Sequence, residues 1–223
     1  ITQSAEISNS TSVVMTTVAG NPDAIGYISL GSLDNTVKAL EIDGVAATVD
    51  NINNGTYKVY RPFNIATKEG LSETAQDFVN FIMSEQGQAI VAEEGYIPLD
   101  GVEAYAGDAP AGKVVVGGSS SVSPVMEKLI EAYAEVNPEA EIELQTTDST
   151  TGMENAIAGS YDIGMASREV KDEELAEGLE AQVIATDGIA VVVNNANPAE
   201  DLTSDQVKAI YTGEALTWDE VTE

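Results

Sequence analysis

The chain has 223 residues, 43% of them hydrophobic, which is enough for one large domain or two small lobes with a real core. It contains no Cys and no His, which excludes disulfides, thiol nucleophiles, Ser-His catalysis and the usual zinc sites. The formal net charge of −29 argues against nucleic acid as a partner, because binding to a phosphate backbone depends on Lys and Arg.

The first hundred residues alternate between helical and extended patterns. Hydrophobic periodicity and turn signals predict helices over residues 10–18, 72–83 and 84–93, and strands over 25–30, 37–42 and 58–64. Ser72 and Ser84 each stand where an N-cap is expected. Residues 100–112 follow; they are rich in Gly, Ala, Asp and Pro without a clear period, and we interpret them as a linker.

The second half continues the alternation. The predicted strands cover 113–116, 141–145, 163–166, 183–186 and 189–194, and the predicted helices cover 124–136, 151–158, 172–177 and a segment capped by residues 202–205 that runs to Tyr211. Strands that alternate with helices in this way predict an α/β fold.

Three turns rich in hydroxyl groups follow predicted strands. Residues 117–124 place two glycines and four serines between a strand and a helix, where hydroxyls and amides can bind an anion. An ordinary Ser N-cap accounts for one of these serines only. Residues 148–152 form the second turn, which an ordinary helix cap also explains. The third turn, 164–169, ends in Arg168-Glu169, which would also suit a surface ion pair.

These turns lie at the carboxyl ends of their strands, the edge at which open α/β sheets bind ligands. We therefore predict a neutral oxyanion site built from hydroxyls and amides, without a metal or cofactor. The sequence has neither a Walker motif nor a Gly-x-Gly-x-x-Gly fingerprint, so nucleotide binding is not expected. An enzyme such as a phosphatase would need a nucleophile, metal ligands or a general base; the nearby carboxylates are Asp148, Asp162 and Glu169, and we predict that the chain is not an enzyme.

Residues 115–124, 149–153 and 162–169 resemble the phosphate-binding proteins of ABC transporters, the PstS type. Further matches lie at residues 24–30, 60–63, 95–98, 187–194, 202–214 and 217–218. The resemblance implies a two-lobed, type II periplasmic-binding-protein-like α/β fold. It also implies which residues bind phosphate: Ser120 and Ser121 in the first loop, Ser149 in the second, Ser167 in the third, and Thr151 and Gly152 as additional donors.

The order of the segments differs from that of the family. The piece that resembles residues 113–223 comes first in the family and the piece that resembles 1–99 comes last, so we expect a circular permutation, either engineered or cut from a tandem protein. A strand, an Arg…Ser-Gly-Thr/Ser-Arg loop and a helix of the family have no counterpart. The expected lobes are 58–187, which contains the linker, and 1–57 with 188–223.

The incomplete second lobe should expose apolar surface. We expect it to be completed by chain exchange, by a second chain, or by residues outside this sequence. The function that the resemblance implies is extracellular capture of inorganic phosphate and its delivery to an ABC permease. The protein would then lie at the cell surface and could carry a lipid on a Cys outside this chain. The alternative is an adhesion, sensing or scaffold module that keeps the fold without transport.

Overall fold

A computed structural model describes residues 1–221, and the chain divides into two compact units. Unit 1 is formed by Ile1–Tyr60 and by the chain from Gly188 onward, and unit 2 is formed by Arg61–Asp187. Within the described part of the chain, the helices are too short or too polar to cross a membrane.

The elements alternate along the chain as an α/β fold requires. The helices are α1 (Thr11–Gly20), α2 (Val49–Asn53), α3 (Glu73–Ile82), α4 (Glu85–Glu93), α5 (Ser123–Val136), α6 (Ser149–Ala158), α7 (Asp172–Ala176) and α8 (Ser204–Thr212). The strands are β1 (Ile25–Ser29), β2 (Lys38–Ala39), β3 (Glu41–Ile42), β4 (Tyr60–Lys68), β5 (Gly112–Ser119), β6 (Ala140–Thr147), β7 (Ile163–Ala166), β8 (Leu179–Val193) and β9 (Asp201–Leu202).

In unit 2 the strand order is β8-β4-β7-β5-β6. Strand β5 pairs in parallel with both β6 and β7, and β4 runs antiparallel to β7. Parallel pairing gives β5, β6 and β7 a common carboxyl edge. The turns that follow these three strands therefore lie at the same edge of the sheet.

The core of unit 2 lies between this sheet and helices α3, α4 and α5. Helix α5 buries one apolar stripe, which the 3.6-residue period of its sequence predicts. The stripe consists of Val125, Met126, Leu129 and Tyr133. The N-caps predicted for α3 and α4 are confirmed, because Ser72 accepts the N–H of Ala75 and Ser84 accepts the N–H of Gly87.

The segment 100–112 belongs to unit 2 and lacks regular structure up to the start of β5. Buried polar groups nevertheless hold it. The Tyr105 hydroxyl donates to Asp77 Oδ2 at 2.6 Å, and the Asn137 side-chain amide donates to the Pro110 carbonyl at 3.0 Å. The Thr74 hydroxyl donates to the carbonyl of Ala111 at 3.1 Å. The predicted linker is thus packed against α3 and α5.

Unit 1 has a smaller core. In this unit β1 and β2 pair antiparallel with the second part of β8, and β3 pairs in parallel with β9. The buried apolar cluster consists of Val18, Ile28, Val37, Ala190 and Val192.

Several large apolar side chains of unit 1 are exposed, among them Ile7 at 90%, Leu216 at 79% and Ile1 at 78%. Exposed apolar side chains of this kind were expected for an incomplete second lobe. That chain exchange, a second chain or residues outside this sequence would cover them stays a prediction.

The structure differs from the predicted elements in several places. The separate strands predicted at 183–186 and 189–194 are wrong, because β8 runs unbroken from Leu179 to Val193. The single strand predicted at 37–42 is two short strands, β2 and β3, which pair with different partners. The short helix α2 was not predicted.

Candidate functional site

Three serines from three different turns are linked by hydrogen bonds at the carboxyl edge of the unit 2 sheet. Ser119 ends β5, Ser149 begins α6, and Ser167 follows β7. The Ser119 hydroxyl donates to the Ser167 hydroxyl at 2.9 Å, and the Ser167 N–H donates to the Ser149 hydroxyl at 3.1 Å. We call Ser119, Ser149 and Ser167 the serine cluster. It joins the ends of β5 and β7 to the start of α6.

The loop between β5 and α5 carries the other two predicted serines. The Ser120 N–H donates to the Thr147 carbonyl at 3.1 Å, and the Ser121 N–H donates to the Ser119 hydroxyl at 3.3 Å. Neither the Ser120 nor the Ser121 hydroxyl has a hydrogen-bond partner within residues 1–221. Both hydroxyls are therefore available as donors to a ligand.

Glycine at position 118 allows this loop to turn tightly next to β7. Gly118 has a φ of +141°, and a Cβ there would lie 2.3 Å from the Met165 carbonyl oxygen. No side chain fits at that distance. The backbone of β5 can therefore approach β7 closely enough for Ser119 and Ser167 to meet.

Helix α6 begins at a carboxylate. Asp148 is its N-cap, and Asp148 Oδ1 accepts the N–H groups of Thr150 at 2.9 Å and Thr151 at 3.0 Å. The Thr151 hydroxyl donates to Asp148 Oδ2 at 2.8 Å. The pKa of Asp148 is lowered from its ordinary value, chiefly by the N–H of Thr151, and the carboxyl is ionised at neutral pH.

Gly152 packs α6 against the sheet. Its N–H donates to the Asp148 carbonyl at 2.9 Å within the first turn of the helix. A Cβ at this position would lie 2.7 Å from Gly118 Cα and 2.8 Å from the Met165 carbonyl oxygen. The amide predicted to bind phosphate is thus engaged in the helix, and the absence of a side chain permits close packing.

A basic side chain lies beside the site and is already paired. The Arg168 guanidinium donates from Nη1 to Glu174 Oε2 at 2.8 Å and from Nη2 to Glu174 Oε1 at 2.7 Å. This bidentate pair lowers the pKa of Glu174 and raises that of Arg168. Asn64 donates to the Arg168 carbonyl at 3.0 Å and holds the turn after β7 against β4.

The predicted site residues therefore fall into two groups. Ser149 and Ser167 are in direct contact, and Ser120 and Ser121 follow Ser119, which contacts Ser167. Thr151 and Gly152 lie at the start of α6 with their donors engaged by Asp148.

Sequence reasoning did not select Ser119 or Asp148 as site residues. Ser119 belongs to the serine run that was recognised, but its orientation is set by the turn at Gly118. No group of three or more acidic residues in the part of the chain that the structure describes is arranged to hold a metal ion.

Comparisons with known proteins agree with this architecture. The family model described as "PBP superfamily domain" matches residues 103–223. A "Phosphate-binding protein PstS 2" of Streptococcus agalactiae serotype V is 55% identical over 218 residues, covering 97% of this chain and 74% of the relative. A relative of the same name from Streptococcus pneumoniae serotype 4 is 45% identical over 220 residues, covering 98% of this chain and 75% of the relative.

A solved structure also matches nearly the whole chain. It is the phosphate-binding protein of a phosphate ABC transporter from Streptococcus pneumoniae, with 45% identity and a TM-score of 0.77. The match covers 99% of this chain and 86% of that chain. The permuted order and the completion of the second lobe by another chain stay predictions.

Proposed function

Since this chain belongs to the PstS family of phosphate-binding proteins, we propose that it captures inorganic phosphate outside the cytoplasmic membrane and delivers it to an ABC importer. The fold is of the periplasmic-binding-protein type. The two relatives and the solved structure described above are named for phosphate binding, which does not favour the alternative of an adhesion, sensing or scaffold module.

The contact between the serine cluster and the loop after β5 is the observation that carries this proposal. Ser119, Ser149 and Ser167 are linked by a hydroxyl–hydroxyl hydrogen bond and by the Ser167 N–H, which donates to the Ser149 hydroxyl. Ser120 and Ser121 add two hydroxyls with no partner in residues 1–221. Hydroxyl groups can rotate to donate to an oxyanion. A tetrahedral anion bound here would receive short hydrogen bonds from several directions.

The net charge of the chain means that the attraction for phosphate must come from groups close to the site. At a net charge of −29, the long-range field repels a phosphate ion, so capture depends on local hydrogen-bond donors. The start of helix α5 contributes in the same sense, because the first N–H groups of a helix carry a partial positive charge. We assign Ser120, Ser121, Ser149 and Ser167 to the phosphate site, with Thr151 and Gly152 supporting its α6 side.

The partners follow from the same proposal. The ligand is inorganic phosphate, and the protein partner is the membrane permease of the importer. The relatives are binding proteins and not enzymes, so we propose that this chain turns over no substrate. Attachment to the cell surface through a lipid is a further part of this proposal.

Isothermal titration calorimetry tests the specificity. The protein, freed of bound anion by partial unfolding and dialysis, is titrated with phosphate, sulfate and nitrate in the same buffer. We expect saturable 1:1 binding of phosphate that is at least tenfold tighter than that of sulfate or nitrate. Equal affinity for the three anions would contradict phosphate as the ligand. A generic phosphate ester incubated with the protein should stay intact.

A further inference from the structure

The first N–H groups of α6 are not available to an anionic ligand, because the Asp148 carboxylate of the chain itself accepts their hydrogen bonds. Asp148 Oδ1 accepts the N–H groups of Thr150 and Thr151, and Asp148 Oδ2 accepts the Thr151 hydroxyl. Helix N-termini attract anions through such N–H groups. At α6 these donors are bonded to Asp148, and they are not free for a bound oxyanion.

The carboxylate also lies next to the serine cluster. Asp148 directly precedes Ser149, whose hydroxyl accepts the N–H of Ser167. Thr147, the residue before Asp148, accepts the N–H of Ser120 through its carbonyl. An oxyanion that contacts Ser149 therefore lies beside the residue that carries this negative charge.

The neighbouring cation does not cancel this charge. Arg168 contributes to the lowered pKa of Asp148, but its guanidinium donates two hydrogen bonds to Glu174, at 2.8 and 2.7 Å. The Arg168–Glu174 pair is close to neutral as a unit. Asp148 is thus an ionised group directly before Ser149 of the serine cluster.

We propose that Asp148 is a specificity-determining residue of the oxyanion site, which weakens binding most for the oxyanions of highest charge. The inference rests on the proposed function, since it concerns the same ligand site. Like charges placed side by side in a binding site reduce affinity and exclude unwanted ligands. At pH 7 sulfate carries two charges, whereas part of the phosphate population carries one. The carboxylate should therefore act more strongly against sulfate.

The test compares the protein with D148N. Asparagine caps helices as well as aspartate does, so the substitution removes the charge and keeps an oxygen that accepts the N–H groups of Thr150 and Thr151. The matched control is D34N. Asp34 accepts the N–H and the hydroxyl of Thr36, has a lowered pKa, and belongs to unit 1. D34N removes the same formal charge from unit 1, whereas all three residues of the serine cluster belong to unit 2.

Calorimetric titrations with phosphate and sulfate at pH 7 give the readout. We expect D148N to bind phosphate about three- to tenfold more tightly than the unmodified protein does, with a larger gain for sulfate. The gain should shrink as the salt concentration rises from about 20 mM to 500 mM, because salt screens charge repulsion. D34N should bind both anions as the unmodified protein does.

Two results overturn the proposal, and they can be told apart from failure of the proposed function. If the unmodified protein binds phosphate and D148N binds it equally or more weakly, then Asp148 does not repel the ligand and only this inference fails. An equal gain in D34N would assign the effect to net charge and would also overturn it. If no variant binds an oxyanion, the proposed function fails and this inference fails with it.

Discussion

The hydroxyl of Ser119 donates a hydrogen bond to the hydroxyl of Ser167 at 2.9 Å, although 48 residues separate them in the chain. Parallel pairing of β5 with β7 makes this contact possible, because both strands end at the same edge. The glycine at position 118 lets the backbones approach. The candidate site therefore depends on sheet pairing as much as on the serines.

Replacing Ser167 should weaken phosphate binding without unfolding the protein. S167A removes a hydroxyl that contacts Ser119 and that we assign to the ligand. Loss of one hydrogen bond to a charged group corresponds to about 1.5–3 kcal/mol, or roughly 10- to 150-fold in affinity. Isothermal titration with phosphate measures the change, and circular dichroism checks the fold.

The matched control for this substitution is S160A. Ser160 belongs to unit 2, is exposed, and precedes β7 at the opposite end of that strand from Ser167. We expect S160A to bind phosphate as the unmodified protein does. An unchanged affinity in S167A would remove Ser167 from the site.

Introducing a methyl group at Gly152 should destabilise unit 2. In G152A the new Cβ would lie 2.7 Å from Gly118 Cα and 2.8 Å from the Met165 carbonyl oxygen, and backbone atoms cannot move aside cheaply. Overpacking of this kind costs about 1–3 kcal/mol. Urea-induced unfolding followed by circular dichroism measures the loss. G20A is the control, since a Cβ at Gly20 meets nothing within 4 Å; equal stability of the two variants would refute the packing role.

The buried ion pair between Arg61 and Asp187 should be important for stability. Arg61 Nε donates to Asp187 Oδ2 at 3.0 Å, and the Asp187 side chain is fully buried. Removing one partner of such a pair leaves a charge uncompensated and costs about 3–5 kcal/mol. We expect D187A to lower the free energy of unfolding by this amount. In the exposed pair of Lys128 with Glu131, E131A should cost under about 1 kcal/mol; similar losses in both variants would contradict the prediction.

Stability should fall in alkaline solution. Burial, followed by the hydrogen bond to Asp77, raises the pKa of Tyr133 from 10.0 to about 12 in the folded protein. The folded state therefore holds this proton more tightly than the unfolded state does. The resulting stabilisation is fully present below pH 10 and is lost as the pH rises toward about 12.

The variant Y133F tests this assignment. Thermal unfolding between pH 9 and pH 12 should show a shallower decline in Y133F than in the unmodified protein. Some decline should remain, because burial also raises the pKa of Tyr57 to about 12. Parallel curves for the two proteins would show that Tyr133 does not contribute.

Local patterns predicted most elements of the fold. The caps at Ser72 and Ser84 and the apolar stripe of α5 depend on nearby residues only. The break expected between residues 186 and 189 was wrong for a tertiary reason. Asp187 can remain in a buried strand because it pairs with Arg61, and Gly188 leaves room for Ile52, whose Cδ1 would lie 2.4 Å from a Cβ at that position.

The candidate site was predictable in its residue types and less so in its contacts. Three hydroxyl-rich turns after three strands indicated an anion site, and the resemblance singled out Ser120, Ser149 and Ser167. The contact of Ser119 with Ser167 depends on the register of β5 against β7, which no local pattern encodes. The resemblance suggested that the Gly152 amide donates to the ligand. The backbone atoms of Gly118 and Met165 lie so close to Gly152 that the absence of a side chain there serves the packing of α6.

A crystal structure of the protein with inorganic phosphate tests the central claim most directly. We expect one tetrahedral anion in unit 2, with its oxygens about 2.5–3.0 Å from the hydroxyls of Ser120, Ser149 and Ser167. An anion bound elsewhere, or at that edge of the sheet without a contact to these hydroxyls, would contradict the account.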